Sequence, residues 1–327
     1  MTGRKLTARV ERWPIAGAFR ISRGAKTEAE VVVAEVTDGA ARGWGEATPY
    51  ARYGETTRSA LDLIESVRGE IESGLSREDL QLALPAGAAR NVLDCALWDL
   101  EAKVSGTPVW RRAGLEPPRP LTTFYTVSVD TPEAMGRAAA LSGRPALKLK
   151  LGGEGDLARV AAVRRAARDA RLVVDANEAL TFAALQALAP ALAALGVELI
   201  EQPLPAGRDE ALEGYQSPVM LCADESLHTR AELEACARRY GCVNVKLDKC
   251  GGLTEALSLT TAARARGMAV MAGCMVATSL SMAPAMLFAQ DAAFVDLDGA
   301  LLLARDREPA LRATGSVLHP PDAKLWG

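Results

Sequence analysis

The sequence predicts an α/β protein in which a small α+β domain precedes a modified TIM barrel of the (β/α)7β type. Of the 327 residues, 49% are hydrophobic, which is enough for a large core. From about residue 120 onward, short β-type runs alternate with helical stretches rich in Ala, Leu and Arg, as a barrel of parallel strands requires. The eight predicted strands cover residues 122–129, 146–151, 172–176, 198–203, 219–225, 242–248, 269–275 and 294–298.

Charged side chains close most of the predicted strands, and five consecutive ones are spaced by 22 to 26 residues. Active sites of such barrels lie where strands end and loops begin, so we expect these side chains to converge on one mouth. The alternation stops after residue 298, which gives seven βα units and a closing strand. The strand-closing residues are Lys150, Asp175, Glu201, Asp224, Lys246 and Asp298.

The chain divides into three predicted parts. Residues 1–118 form an α+β domain, because period-two alternation indicates antiparallel strands there and helices follow over about 56–73 and 88–104. Residues 119–305 form the barrel. Residues 306–327 carry several prolines and are predicted to be a C-terminal tail that returns to the first domain.

Three acidic residues, Asp175, Glu201 and Asp224, end consecutive predicted strands. Their carboxylates would repel one another without a partner, and a divalent cation would remove that repulsion. Ligands that are all oxygen atoms favour Mg²⁺ over zinc. We therefore predict one Mg²⁺ per active site, the alternative being that each acid caps a helix or pairs with an arginine.

Two lysines, Lys148 and Lys150, stand two positions apart on one predicted strand, so both face the same side. The leucines that alternate with them suit the outer face, which helices cover, and this places the lysines inside the barrel. Lys246 lies four strands later and would face Lys150 across the barrel. Asp248 is predicted to share the face of Lys246, to orient it, and to take part in substrate binding.

This arrangement predicts proton transfer at a carbon next to a carboxylate. Lys150 and Lys246 would remove a proton from one face of that carbon and return one to the other face. The metal and Lys148 would stabilise the enediolate formed between these steps. We expect crowding against the cation to favour the neutral, basic form of both bases.

The ordered strand-end motifs, together with Gly43-Trp44-Gly45-Glu46, resemble the signature of the muconate-lactonizing subgroup of the enolase superfamily. The resemblance covers most of the chain and implies a capping domain over a (β/α)7β barrel. It also implies three carboxylate ligands for Mg²⁺ and two lysine bases. The seventh predicted strand has no histidine, which disfavours the subgroup with a histidine base. The motifs are Lys148-Leu149-Lys150, Asp175-Ala176-Asn177, Glu201-Gln202-Pro203, Asp224-Glu225-Ser226 and Lys246-Leu247-Asp248.

The segment Asp296-Leu297-Asp298 resembles a motif of the dipeptide epimerases, which use it to bind the free amino terminus of the substrate. Both acids share one strand face, and the alternative is a simple Asp-Gly turn. Residues 19–26 and 48–55 resemble the loops that close over the substrate in L-Ala-D/L-Glu epimerases. The resemblance implies that Arg23 receives the glutamate side-chain carboxylate, which suits a guanidinium. The other loop cations, Arg20, Lys26 and Arg52, remain alternatives.

The predicted function is a Mg²⁺-dependent 1,1-proton transfer that interconverts L-Ala-D-Glu and L-Ala-L-Glu, as would serve the breakdown of cell-wall peptides. One alternative is an epimerase of other dipeptides or an N-succinylamino acid racemase of the same subgroup. A distant alternative is a non-catalytic barrel that binds an anion, or a Schiff-base aldolase.

The amino-acid composition limits the classes of binding partner to be expected. The net charge of −3 gives no reason to expect nucleic acid or a membrane surface, so a small dipeptide substrate is the expected partner. No signal peptide or long apolar span is visible, and the six cysteines form no Cys-x-x-Cys pair. We therefore expect a cytoplasmic protein with reduced thiols. The oligomeric state stays open, with a homo-oligomer among the alternatives.

Overall fold

A computed structural model describes residues 3–327 and begins with an antiparallel sheet. The sheet contains the strands β1 (Lys5–Ile21), β2 (Gly24–Asp38) and β3 (Ala41–Ala47), in that order. In β2, residues 24–28 are all exposed, residues 31–34 are all buried, and buried and partly exposed side chains alternate from Ala34 to Thr37. Five helices follow: α1 (Thr57–Ser66), α2 (Arg68–Glu72), α3 (Arg77–Ala83), α4 (Ala88–Ser105) and α5 (Val109–Arg112).

The predicted helix over about 56–73 is two helices, because the chain leaves helical geometry at Val67, whose φ is −108°. The predicted helix over about 88–104 is α4, which ends at Gly106 in the left-handed conformation that glycine favours. Fourteen residues of α4 are buried because it packs against the sheet on one side and against the barrel on the other.

The two glycines of the Gly43-Trp44-Gly45-Glu46 segment allow β3 to lie directly on α4. A Cβ atom at Gly43 would be 2.2 Å from the carbonyl oxygen of Ala96, and one at Gly45 would be 2.3 Å from that of Val92. Neither contact is possible for a larger residue, so this close packing explains why both positions are glycine.

The second part of the chain is a barrel of eight parallel strands. A short strand, β4 (Leu121–Thr122), precedes it, and the strands follow one another around the sheet in sequence order. The backbone N–H of Phe124 donates to the carbonyl of Val295 at 2.8 Å and joins the first strand to the last. The barrel strands are β5 (Tyr125–Val127), β6 (Ala146–Lys150), β7 (Arg171–Asp175), β8 (Val197–Glu201), β9 (Met220–Ala223), β10 (Cys242–Val245), β11 (Ala269–Gly273) and β12 (Phe294–Asp296).

Helices cover the outside of the barrel and pack on its apolar outer face, with Leu147 and Leu149 of β6 fully buried there. The predicted α/β architecture is confirmed: six predicted barrel strands contain an observed one, and the other two overlap β7 and β8 but begin one residue later. The helices are α6 (Pro132–Ser142), α7 (Asp156–Ala166), α8 (Phe182–Ala194), α9 (Leu233–Ala237), α10 (Leu247–Cys250), α11 (Leu253–Ala265) and α12 (Ser279–Phe288).

The C-terminal residues return to the first part of the molecule. Two short strands, β13 (Ala313–Thr314) and β14 (Val317–Leu318), form a small sheet with β4. The indole N–H of Trp326 donates to the carbonyl of Cys95 in α4 at 3.0 Å, and the Trp326 side chain is buried. The tail therefore covers one side of α4.

Between residues 3 and 327, none of the helices combines the length and the apolarity that crossing a bilayer requires.

Candidate active site

The carboxyl ends of the barrel strands and the first part of the chain enclose a cavity of about 910 Å³. Its barrel wall includes Lys148, Lys150 and Lys246. Its other wall, called the capping wall below, consists of residues 19–30 around the β1–β2 hairpin and residues 48–57 after β3. The two walls bring side chains more than a hundred residues apart into one site.

Asp175, Glu201 and Asp224 are buried at the ends of three neighbouring strands. Asp175 ends β7 and pairs in register with Glu201, the last residue of β8, while Asp224 directly follows β9. Three carboxylates on adjacent strands form an all-oxygen donor set whose chemistry fits Mg²⁺. Among residues 3–327, however, no three acidic, histidine or cysteine side chains surround one point as metal ligands would, and each of these carboxylates contacts a lysine instead.

The ammonium groups of the three predicted lysines lie within this acidic cluster. Nζ of Lys150 donates to Oδ2 of Asp175 at 2.5 Å, and Nζ of Lys246 donates to Oδ2 of Asp224 at 2.6 Å. Nζ of Lys148 lies 2.6 Å from Oε2 of Glu201. Because β6 and β10 are four positions apart in an eight-stranded barrel, Lys150 and Lys246 approach the cluster from opposite sides.

The mixture of buried charges shifts the carboxylate pKa values in different directions. Burial favours protonation of Asp175, but the ammonium groups of Lys150 and Lys148 outweigh it and lower the pKa of Asp175 to about 2. Burial and the negative charge of Asp175 raise the pKa of Glu201 to about 7. Burial also favours protonation of Asp224, but the ammonium groups of Lys246 and Lys249 outweigh it and hold the pKa of Asp224 well below the usual range. Asp175 and Asp224 therefore favour the ionised form.

Burial alone would lower the pKa of Lys246, but the charges of Asp224 and Glu201 raise it well above the usual value. In this arrangement carboxylates are the main charges around the ammonium of Lys246, and the neutral form expected beside a bound Mg²⁺ stays a prediction. The same balance raises the pKa of Lys148, where burial is outweighed by Asp296 and Glu201.

The two acids of the Asp296-Leu297-Asp298 segment line the cavity beside the lysines. Oδ2 of Asp296 accepts a hydrogen bond from Lys148 at 2.7 Å, whereas its Oδ1 is buried and accepts none from the described residues. Oδ2 of Asp298 accepts from the backbone N–H of Thr126 at 2.6 Å. Burial and the charge of Asp296 raise the pKa of Asp298 to about 7. Because Oδ1 of Asp296 accepts no hydrogen bond from the described residues, this oxygen is available to a cationic group.

Arg23 lies in the capping wall and already contacts two carboxylates. Its guanidinium donates to Glu178 at 3.0 Å and to Glu225 at 2.8 Å. It also donates to the carbonyl oxygen of Asn177 at 2.9 Å and to the hydroxyl of Tyr50 at 3.2 Å. An arriving carboxylate would compete with these acids for the guanidinium.

The prediction that Asp248 shares a strand face with Lys246 is wrong. Strand β10 ends at Val245, Lys246 caps the short helix α10, and Asp248 lies within that helix. Oδ1 of Asp248 accepts from the backbone N–H of Thr48 at 2.7 Å and from the amide of Asn91 at 3.1 Å. Its carboxylate therefore faces the first part of the chain rather than Lys246.

Two residues that sequence reasoning missed complete the acidic cluster. Lys249 donates to Oδ1 of Asp224 at 2.6 Å, and Asn244 donates to Oε1 of Glu201 at 2.8 Å. Asn244 stands two positions before Lys246, so strand alternation could have predicted that it faces inward. Lys249 had no such signal, because it points inward only as a consequence of the helical turn after β10.

Glu178 was also missed, although it joins the capping wall to the barrel. Its carboxylate receives two hydrogen bonds from Arg52, both at 2.7 Å, in addition to the one from Arg23. Asn177, Glu178 and Gln202 have φ values of 43°, 68° and 34°, an uncommon region for residues other than glycine. Such strained residues at the ends of β7 and β8 are typical of functional sites.

Comparison with known families agrees with this geometry. Residues 4–114 match the N-terminal domain of mandelate racemase and muconate lactonizing enzyme, and residues 130–323 match the enolase C-terminal domain-like family. The chain belongs to the mandelate racemase and muconate lactonizing enzyme family of the enolase superfamily.

Individual members of this family resemble the chain over most of its length. It is 47% identical to an L-Ala-D/L-Glu epimerase of Escherichia coli K12, over 94% of this chain and 97% of the relative. It is 44% identical to an N-acetyl-D-glutamate racemase of a Pseudoalteromonas species, over 91% of this chain and 95% of the relative.

The solved structure of an Agrobacterium tumefaciens family member, with homology to dipeptide epimerases and with sodium and L-Ala-L-Glu bound, is also similar. It has a TM-score of 0.97 and 47% identity, and the match covers 99% of this chain and 100% of the other. A dipeptide epimerase of Enterococcus faecalis in complex with Mg and L-Leu-L-Tyr has a TM-score of 0.91 and 27% identity, over 98% of each chain.

Proposed function

We propose that this protein is a Mg²⁺-dependent dipeptide epimerase that interconverts L-Ala-D-Glu and L-Ala-L-Glu. The observation that carries the proposal is the pair of lysines, Lys150 and Lys246, on opposite sides of a buried carboxylate cluster beneath a covered cavity. The similarity to the Escherichia coli epimerase over 94% of the chain supports the substrate.

The two lysines would exchange roles between the two directions of the reaction. In one direction, the neutral amine of Lys150 accepts the α-proton of the glutamate residue on one face, and the ammonium of Lys246 donates a proton to the other face. In the reverse direction Lys246 is the base and Lys150 the acid. Each forward turnover leaves Lys150 protonated and Lys246 neutral, which is the state that the reverse direction requires. Proton exchange with solvent then restores the starting state.

Asp175, Glu201 and Asp224 would be the ligands of Mg²⁺. A bound Mg²⁺ would supply positive charge to the substrate carboxylate as negative charge accumulates there. Lys148 would add a fixed positive charge next to it, since Lys148 is fully buried among the same acids.

The ends of the dipeptide would be recognised by opposite charges. Asp296 and Asp298 would bind the α-ammonium group, and the free Oδ1 of Asp296 supports this role. Arg23 would bind the glutamate side-chain carboxylate, with release from Glu178 or Glu225. Asp248 has no direct role in this scheme because its carboxylate faces the first part of the chain.

Racemisation of N-acetylglutamate is the second candidate, because the Pseudoalteromonas relative is 44% identical. An N-acetylated substrate has no ammonium group, so it would leave the buried Oδ1 of Asp296 without a hydrogen-bond donor. A buried acceptor without a donor costs free energy, which favours the dipeptide.

The test is exchange of the α-proton in D₂O with MgCl₂, followed by proton NMR. L-Ala-D-Glu, L-Ala-L-Glu and N-acetyl-D-glutamate would be incubated separately with equal amounts of the protein. The proposal expects loss of the glutamate α-proton signal and appearance of the other epimer for both dipeptides. Exchange confined to N-acetyl-D-glutamate would establish the second candidate instead, and absence of exchange with all three would reject both.

We also propose that the reaction takes place in the cytoplasm, during breakdown of cell-wall peptides. Support comes from the cysteines at positions 95, 222, 236, 242, 250 and 274, all of which are free thiols, as is usual in a reducing compartment. Fractionation of cells followed by immunoblotting tests the location, and recovery with the periplasmic or secreted fraction would contradict it.

A further inference from the structure

The carboxylate of Asp248 is buried at the junction between the barrel and the capping wall, and it is not part of the cavity lining. It receives two hydrogen bonds from the first part of the chain. One comes from the backbone N–H of Thr48, the first of residues 48–57, which are called the capping segment below. The other comes from the side chain of Asn91 in α4. The carboxylate thus joins three separate pieces of the molecule.

Asp248 belongs to the same turn as Lys246. The backbone N–H groups of Lys249 and Cys250 donate to the carbonyl oxygen of Lys246 at 3.1 and 3.0 Å, and this closes the turn around Asp248. The guanidinium of Arg90 in α4 donates to the carbonyl oxygen of Cys250 at 2.6 Å. A displacement of Asp248 would therefore move the backbone that carries Lys246.

The capping segment is attached at both of its ends. Thr48 is held by Asp248, and Oε1 of Glu55 accepts from the backbone N–H of Ala88 at 2.8 Å, at the start of α4. Tyr53, between these points, lines the cavity together with Lys246 and packs edge-on against the ring of His228 at 4.4 Å. The segment and the turn after β10 thus form one connected unit.

Lys150 is positioned differently. It is the last residue of β6 and pairs in register with Asp175 of β7, so the barrel sheet itself determines its backbone position. Lys246 lies one residue beyond β10, and the strand pairing of β10 with β9 and β11 does not extend to it. Only Lys246 therefore needs support from outside the sheet.

We propose that Asp248 is a positioning residue for Lys246, and that it couples the base to the capping segment that begins at Thr48. This inference rests on the proposed function, because it assigns Lys246 as one of two bases. It predicts an asymmetry: loss of Asp248 should impair proton removal by Lys246 and spare removal by Lys150.

The experiment measures initial α-proton exchange in D₂O with MgCl₂ separately for L-Ala-D-Glu and L-Ala-L-Glu. The Lys246→Ala variant first identifies the epimer whose exchange requires Lys246. In Asp248→Ala, exchange of that epimer should be slower by about 10- to 100-fold, as expected for a misplaced base, while exchange of the other epimer stays near the parent rate. Asp248→Asn keeps an oxygen acceptor for both donors and should recover most of the lost rate.

Two further variants keep the test decisive if Asp248→Ala folds poorly. Asn91→Ala removes one of the two donors and should produce the same asymmetry to a smaller degree. Asp94→Asn is the matched control. Like Asp248, Asp94 is a buried acid that joins α4 to the barrel: it lies in α4 and accepts from the backbone N–H of Thr254 at 3.0 Å. This variant should affect both epimers equally.

The outcomes separate this inference from the proposed function. Equal slowing of both epimers in Asp248→Ala and Asn91→Ala, or no slowing, would overturn the positioning role while the parent still exchanges both substrates. Absence of exchange in the parent would instead reject the proposed function.

Discussion

The barrel wall and the capping wall of the cavity hold their charged side chains in different ways. In the barrel wall, Lys150 and Asp175 are adjacent in strand register, and their side chains are 9% and 0% exposed. In the capping wall, Arg23 and Arg52 are 28% and 39% exposed, and both form ion pairs with Glu178. The first wall is determined by backbone hydrogen bonds, and the second by contacts between side chains.

This difference suits the two tasks of the proposed reaction. Proton transfer depends steeply on the position of the base, so it needs side chains on a rigid sheet. The capping arginines keep part of their side chains in solvent, which weakens their ion pairs, so a capping arginine can exchange a protein carboxylate for one on the substrate. Changes in the barrel wall should therefore affect rate, and changes in the capping wall should affect binding.

The largest effect is expected from removal of either lysine that we propose as a base in the barrel wall. Lys150→Ala and Lys246→Ala should each lower the rate of epimerisation by about 10³-fold or more, because one of the two proton transfers loses its acid or base. Coupled NMR or polarimetric assays of L-Ala-D-Glu check this. Lys5→Ala, at an exposed position of β1, is the control that should match the parent. Full activity in both base variants would contradict the mechanism.

Loss of the capping arginine should have the second largest effect, and on binding. Arg23→Met removes a charged hydrogen-bond donor and should lower kcat/KM for L-Ala-L-Glu by about 10- to 100-fold. A dipeptide with a neutral second residue should lose much less. Arg20→Met serves as control, because Arg20 is half-exposed and lies 3.5 Å from Asp130. Equal losses for both substrates would show that Arg23 only supports the loop.

A smaller effect is expected from the acid that joins the two walls. Glu178→Gln keeps the shape of the side chain but weakens its ion pairs with Arg52 and Arg23. Because the amide can still accept hydrogen bonds from both arginines, which are themselves partly exposed, we expect KM to change by only a few fold. Steady-state kinetics with L-Ala-D-Glu measures it, and a large fall in kcat with unchanged KM would place Glu178 among the catalytic groups instead.

The smallest effect concerns stability and its dependence on pH. Burial raises the pKa of Asp248 to about 7, despite the hydrogen bond from Thr48. A carboxyl whose pKa is raised on folding binds its proton more tightly in the folded state, so its contribution to stability declines as pH rises toward 7. Asp248→Asn has no such titration. Its Tm relative to the parent should therefore increase between pH 5 and pH 7 and change little above that.

Differential scanning calorimetry over this pH range measures the effect. Only the change in the difference between the two proteins is informative, because the amide can also shift Tm by a constant amount. Asp94→Ala is unsuitable as a control, since burial also raises the pKa of Asp94, to about 6. Arg12→Ala, at a mostly exposed side chain of β1, should shift Tm equally at every pH.

Sequence reasoning was most successful where a side chain's position follows from local periodicity. The regular spacing of strands predicted the barrel and the common mouth, and alternation predicted that Lys148 and Lys150 face inward, where both are buried. It failed at Asp248, where the strand was extended too far, and it missed Lys249 for the same reason. The short helix α10 after β10 turns Lys249 rather than Asp248 towards the acidic cluster.

By itself, the sequence determined the fold class, the family and the set of charged residues at the strand ends, because these depend on spacing along the chain. Only the tertiary structure decided which charges contact one another: Asp248 with Thr48, 200 positions away, and Arg23 with Glu225, 202 positions away. Neither contact leaves a periodic trace in the sequence. Both arise because the capping segments fold back over the barrel mouth, and the energy of a buried charge depends on the groups that surround it in space.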